Sequence, residues 1–164
     1  MSESGVRWFS ESERRCWMAF LKMQKILMET LDRELREGAG ITLDDFDVLV
    51  QLSASPNNRL RMSELAEAVI MPKSRLTYRI DQLVKRGCVA RIDCAADRRG
   101  LYAELTAGGV ALLGLAAPIH VTSVRTHFSD PIGDENAEMM CMLSAQIRDQ
   151  MLSPRKVFAL ATSR

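Results

Sequence analysis

Apolar side chains recur every three or four positions along the N-terminal stretch. Trp17, Phe20, Leu21, Leu27, Met28, Leu31 and Leu35 form one stripe of a long helix. Ser10, with Glu13 three residues on, is a capping-box pattern for its start, and the helix is expected to end near Gly38. The device repeats at Thr42 and Asp45, ahead of a second helix whose buried face is Phe46, Leu49, Val50 and Leu52 and which Pro56 ends. A short extended segment over Leu60 to Met62 follows. Ser63 is then the expected cap of a compact helix with Leu65, Ala66 and Val69 inside. Pro72 fits a first-turn position, where its missing N–H costs nothing, and opens a helix that runs to Arg86 and stops at Gly87.

Beyond Gly87 the period drops to two. Val89, Arg91 and Asp93 alternate with Cys88, Ala90 and Ile92, and Leu101, Ala103 and Leu105 alternate with Tyr102 and Glu104. That pattern predicts a two-stranded ribbon joined by a short charged loop from Cys94 to Gly100. From Thr106 a long helix follows, almost wholly apolar from Val110 to Val124. Asp130-Pro131 is expected to break it before a last amphipathic helix carrying Met139, Met140, Met142, Leu143, Ile147 and Met151. Short helix, tight turn, longer helix and β-ribbon is the winged helix-turn-helix plan. The expected fold is mainly α with a small β-wing, its long N- and C-terminal helices forming a dimerisation domain. The divisions are residues 1–38 for the N-terminal dimerisation helix, 39–106 for the winged helix-turn-helix and 107–164 for the C-terminal dimerisation helices, all in one compact chain.

Composition narrows the function classes. A chain of 164 residues, 47% hydrophobic and 26% charged, can bury a working core. Charged residues interrupt the first twenty positions, so no secretory signal is read there, and the longest apolar run, Val110 to Val121, contains Pro118 and is shorter than a bilayer requires. A cytoplasmic protein without a membrane partner is expected. Cys16, Cys88, Cys94 and Cys141 are scattered without a C-x-x-C pair, and the two histidines, His120 and His127, offer no dense metal spacing. There is no glycine-rich phosphate loop, no histidine beside a nucleophile pattern and no loop with paired carboxylates. The expectation is a non-enzyme without a cofactor or metal.

Charge sharpens this. Residues 59–99 hold ten basic and five acidic side chains, whereas the net charge of the whole chain is only +1. Positive charge gathered into one stretch suits a polyanionic partner, here double-stranded DNA. On the second helix of the predicted pair, Leu76, Ile80, Leu83 and Val84 form the docking stripe. The candidate DNA contacts on that helix are Lys73, Ser74, Arg75, Thr77, Tyr78, Arg79 and Gln82. Arginine can bond guanine edges bidentately, while hydroxyls and lysine hold phosphates. In the wing loop Arg98 and Arg99 are candidates for a narrow minor groove, with Asp97 pairing one of them to fix the tip.

Asp97-Arg98-Arg99, followed by Leu105-Thr106 and Gly109, resembles the wing signature of the MarR family of bacterial transcription regulators. Ser63-Glu64-Leu65-Ala66, Leu76-Thr77, Leu83 and Arg86-Gly87 also fall where that family has its helix-turn-helix. Tyr78 stands where many members carry arginine, and Ala95 and Ala96 replace prolines common in the wing. The resemblance implies an obligate homodimer, repression at pseudo-palindromic sites and, often, release by a small ligand or oxidant. Apolar end helices agree with a dimer that sets two reading helices about 34 Å apart. A small-molecule effector pocket is placed at Trp17, Met18, Phe46 and His120. The alternatives are a redox- or metal-responsive regulator of the same fold, with Cys16 or Cys94 sensing oxidants, and a winged-helix protein-interaction module.

Overall fold

The computed structural model describes residues 6–93 and 101–152 and divides the chain into two compact units, residues 1–124 and 125–164. In the first unit, α1 (Glu11–Ala39) is followed by α2 (Leu43–Ala54), β1 (Arg59–Arg61), α3 (Met62–Ala68), α4 (Lys73–Lys85), β2 (Val89–Asp93), β3 (Leu101–Leu105) and α5 (Ala107–Val124). In the second, a π-helical stretch over Arg125–Ser129 leads to the single turn α6 (Asp130–Ile132) and to α7 (Asp134–Leu152).

Both predicted capping boxes form. Ser10 Oγ accepts from the Glu13 N–H at 3.2 Å while the Glu13 carboxylate accepts from the Ser10 N–H at 2.7 Å, and hydrogen bonding from the Ser10 backbone and hydroxyl holds the Glu13 carboxyl below its ordinary range. Thr42 and Asp45 repeat the exchange at 3.0 and 3.1 Å. Helix α1 extends one residue past Gly38, to Ala39, and Gly40 ends it at φ 67°.

The third cap differs from expectation. Ser63 lies inside α3, because β1 stays paired with β3 through Arg61, and the Arg61 N–H is taken by the Glu64 carboxylate at 3.2 Å. Pro72 likewise sits at the N-cap of α4, in extended backbone at φ −57° and ψ 139°, one position before the first turn.

Helices α3 and α4 close with the same turn. For α4, the Gly87 N–H donates to the Val84 carbonyl and the Cys88 N–H to the Leu83 carbonyl, with Gly87 at φ 70°. For α3, the Ile70 N–H donates to Glu67 and the Met71 N–H to Ala66, with Ile70 held at φ 51°. A β-branched residue thus occupies a left-handed position that usually goes to glycine.

The sheet has three strands rather than two, antiparallel in the order β1-β3-β2, with Leu60 opposite Ala103 and Arg91 opposite Ala103 on the other side. Its inner face, α2, α3 and α4 enclose Leu49, Leu52, Leu65, Leu76, Ile80, Leu83, Val89 and Ala103 in one core, which Leu35 of α1 and Ala116 of α5 join. Val84, expected in the docking stripe, is exposed at its edge.

Thr106 and Gly109 explain the start of α5. The Thr106 hydroxyl donates to the Gly87 carbonyl at 2.6 Å and accepts from the Gly109 N–H at 3.1 Å, tying α5 to the end of α4. A Cβ on Gly109 would stand 2.2 Å from the Cys88 carbonyl oxygen, so only glycine permits this approach.

Pro118 does not interrupt α5, and Asp130-Pro131 falls within the helical stretch that Gly133 ends at φ 71°. Ala107–Ile132 is therefore long and apolar enough to cross a membrane by length and composition. Its Gly109 and Ala116 are buried in the winged unit, and α5 packs on α1 and α2.

Candidate nucleic-acid interface

Amphipathic α4 is seated by Leu76, Ile80 and Leu83, all essentially inaccessible, against the core formed with α2, α3 and the sheet. Burying three large aliphatic side chains along one stripe fixes the rotation of the helix, and each contributes about 1.5–3 kcal/mol relative to exposure. The same rotation turns Lys73, Ser74, Arg75, Thr77 and Tyr78 outward. The Thr77 hydroxyl donates to the Lys73 carbonyl at 2.9 Å, which uses its proton within the helix but leaves its lone pairs as acceptors. Tyr78 is 55% exposed, and the Arg79 guanidinium stacks over its ring at 5.2 Å. Gln82 lies at the margin, half-buried.

Arg79, expected among the DNA contacts, turns away from the outer face. It points back toward α2, where Nη1 donates to Thr42 Oγ1 at 3.4 Å and stands 3.7 Å from Asp45 Oδ1, while Nε lies 3.4 Å from Asp44 Oδ2. A half-buried guanidinium among two carboxylates serves to attach α4 to α2 and is poorly available to an outside anion. Arg86 makes a second attachment, donating from Nη1 to the Gly40 carbonyl at 2.8 Å. Arg75 makes a third, through Asp44, yet stays mostly exposed.

These ties converge on the α1–α2 corner, which is itself anchored. Asp32 Oδ1 accepts from the Leu43 N–H at 2.8 Å and Oδ2 from Arg36 Nε at 2.6 Å. Burial pushes the Asp32 carboxyl upward, but the hydrogen bonds from Arg36 and Leu43 outweigh it and hold the group below its ordinary range.

On the outer face of the sheet, Arg59 and Arg61 each stand 5.4 Å from the Tyr102 ring centroid, and Arg61 Nε donates to the Tyr102 hydroxyl at 3.3 Å. Asp44 and this arginine–tyrosine cluster were not singled out by the sequence pattern, which marks Arg86 as the helix end and not as a tie to Gly40. Asp44 stands in the first turn of α2, and its partner Arg75 is 31 positions away. Asp97, Arg98, Arg99 and Cys94 lie outside the described residues.

Of the expected effector residues, Phe46 and His120 meet, with ring centroids 4.4 Å apart and the rings tilted by 36°. His120 Nδ1 and Ser123 Oγ, one helical turn further along α5, are buried and have no hydrogen-bond partner among the described residues. Trp17 and Met18 do not join them. They are exposed on α1, where Trp17 stacks on Phe20 at 6.1 Å, and Leu31, the first buried residue of α1, lies about 21 Å further along the helix axis. Cys16 and Cys141 are exposed, and Cys88 is buried.

Comparison with known proteins identifies this arrangement. Residues 39–100 match the model of the MarR family. The fold is similar to the crystal structure of AbsC, a MarR family transcriptional regulator from Streptomyces coelicolor, with 36% identity, a TM-score of 0.84 and coverage of 89% of this chain and 98% of that one. A second MarR family transcriptional regulator from Streptomyces coelicolor, solved in complex with DNA, is 34% identical with a TM-score of 0.86, covering 94% of this chain and 96% of that one. The HTH-type transcriptional repressor YetL of Bacillus subtilis strain 168 is 30% identical over 106 residues, 63% of this chain and 64% of its own length. With the helix-turn-helix, the three-stranded sheet and these matches in agreement, the chain belongs to the MarR family of transcriptional regulators.

Proposed function

We propose that this protein is a cytoplasmic transcriptional repressor that binds duplex DNA as a homodimer at pseudo-palindromic sites, and that it carries out no catalysis. The outward presentation of Lys73, Ser74, Arg75, Thr77 and Tyr78 by a helix whose rotation is fixed through Leu76, Ile80 and Leu83 carries this reading. Lysine and hydroxyl groups at the start of α4 meet phosphates, and Arg75, Tyr78 and Gln82 meet base edges. Arg98 and Arg99 of the wing meet the adjacent minor groove. The residue divisions at 38/39 and 106/107 then separate dimer-forming helices from the reading head.

A second copy of the chain covers the apolar side chains that α1, α5 and α7 leave exposed, among them Trp17, Phe20, Ile26, Leu115, Val121, Met142 and Ile147. A dimer accounts for the apolar length of α5 without a bilayer. The effector site is centred on Phe46 and His120 of each copy, where the unpaired His120 Nδ1 and Ser123 Oγ offer polar groups within an apolar surround. Among the solved relatives, one from Bordetella bronchiseptica has its DNA binding regulated by 6-hydroxynicotinic acid, and at 17% identity it supports the fold and not that ligand.

The test is fluorescence anisotropy with a duplex enriched from a random pool by the protein itself, titrated across salt concentration. Binding is expected to weaken steeply as salt rises, with a stoichiometry of two chains per duplex. A monomer with no preference for the enriched duplex over a scrambled one overturns the reading.

A further inference from the structure

We infer that Asp44 is a positioning residue for DNA discrimination: it holds Arg75 by one edge of its guanidinium and so presents the other edge, already oriented, to the DNA. This rests on the assignment of α4 as the reading helix. Arg75 Nε donates to Asp44 Oδ2 at 2.8 Å, and Arg75 Nη2 stands 2.6 Å from the same oxygen. Nε and Nη2 share one side of the guanidinium plane. Asp44 therefore occupies the lateral edge and leaves the end-on fork, Nη1 with the second proton of Nη2, for an acceptor pair such as guanine O6 and N7.

The carboxylate is itself restrained. It projects from the first turn of α2, its side chain is only 21% exposed while that of Arg75 is 59% exposed, and Arg79 Nε lies 3.4 Å from the oxygen that Arg75 uses. Asp44 thus stands between two guanidinium groups of one helix. Thr42 and Asp45 beside it are fixed by their capping box, and Asp32 fixes the Leu43 N–H. The anchor of Arg75 is as rigid as the α1–α2 corner.

Two consequences follow. A long, flexible side chain that is ordered before binding loses less conformational freedom when it meets its base. A neighbouring carboxylate also offsets the cation, so Arg75 gains less from a phosphate in an arbitrary sequence than a free arginine would. Removing the carboxylate releases a mobile cation that accepts any phosphate. Asp44 on this account lowers general affinity and raises selectivity, and the effect requires Arg75.

The experiment measures affinity for two duplexes of equal length, one enriched from a random pool by the wild-type protein and one scrambled, for wild type, Asp44→Asn, Asp44→Glu, Arg75→Ala and Asp44→Asn/Arg75→Ala. In Asp44→Asn the affinity for the scrambled duplex is expected to rise about threefold, with a log–log salt slope steeper by about one. The ratio of enriched to scrambled affinity is expected to fall by about tenfold. Asp44→Glu, which keeps the charge, retains more of the ratio than Asp44→Asn. In the Arg75→Ala background, Asp44→Asn leaves the ratio unchanged. A purely structural role for Asp44 lowers thermal stability equally in both backgrounds and does not make the change in ratio depend on Arg75. An unchanged ratio in Asp44→Asn, or the same fall with and without Arg75, overturns the inference while the reading of α4 stands. A wild-type protein that fails to prefer the enriched duplex removes the reading of α4, and the inference with it.

Discussion

The reading head and the last helix have comparable apolar content and opposite fates. In the head, Leu49, Leu52, Leu65, Leu76, Ile80 and Leu83 come from three different helices and are all essentially inaccessible. In α7, Met139, Met142, Leu143, Ile147 and Met151 are all exposed, and the helix has no buried residue. Most of α1 resembles α7, since among its residues only Leu31 and Leu35 are buried. A core that closes on itself specifies a fold. An apolar helix that stays open within one chain leaves hydrocarbon in water, and at roughly 25 cal/mol per Å² that is a standing incentive to find a partner.

The largest effect expected from this contrast is in the head. Leu83→Ala opens a cavity among side chains drawn from α2, α3, α4 and the sheet, and should destabilise the protein by about 2–5 kcal/mol in urea unfolding. A cost under about 1 kcal/mol would show that the head is loosely packed. The complementary change is Ile147→Glu, at a position 59% exposed in the single chain. It should leave secondary structure unchanged but weaken self-association at least about tenfold in sedimentation equilibrium, because the carboxylate must be desolvated on pairing. The stability of this variant should also lose its dependence on protein concentration. An undiminished dimer would place α7 outside the interface.

How much of this was legible in the residue order depends on the range of the interactions concerned. The capping boxes at Ser10 and Thr42 and the stop at Gly87 are local, spanning three or four residues, and the pattern shows them directly. Ser63 misled because the start of α3 is set by strand pairing between Arg61 and Tyr102, which lie far apart in the chain. The extended segment at Leu60 to Met62 was legible, but its pairing with β3 as a third strand was not, since its partner lies more than forty residues away. Helical position puts Arg79 at the margin of the outer side, and only the distant Asp44 and Asp45 decide that it turns inward. The stripe on α1 was correctly apolar, but its N-terminal half outruns the core of the unit, so Trp17 and Met18 do not meet Phe46 and His120. The assignment to a family came from residues with identifiable mechanical roles: Thr106 joins α5 to Gly87, and Gly109 permits contact with the Cys88 carbonyl.

A smaller change tests how well the head itself is built. The turns after α3 and α4 share one hydrogen-bond pattern, with Gly87 in one and Ile70 in the other. Ile70 is 92% exposed, so its side chain recovers almost no burial to offset a left-handed backbone. Asparagine tolerates that conformation, so Ile70→Asn should raise stability by about 1 kcal/mol and the midpoint of thermal unfolding by about 2–4 °C. An unchanged midpoint would mean that the turn holds no strain. A gain in stability accompanied by weaker DNA binding would assign the exposed isoleucine a contact that compensates for its backbone.

The smallest effect belongs to His120, where the closed core meets the open helices. Burial pushes this imidazole below its ordinary value of 6.5, and the Phe46 ring packs against it, tilted, at 4.4 Å between centroids. A histidine with a lowered folded pKa binds fewer protons in the folded state than in the unfolded one, so its favourable contribution is complete above pH 6.5 and declines as the pH falls below that value. Wild type should therefore lose more thermal stability between pH 7.5 and pH 5.5 than His120→Phe does, by about one or two degrees. Because the proposed dimer would cover α5, the comparison is made at two protein concentrations. A pH response that grows on dilution places His120 against the second copy of the chain. A response independent of concentration places it wholly within the core of one, and an identical response in His120→Phe removes the histidine from the pH dependence altogether.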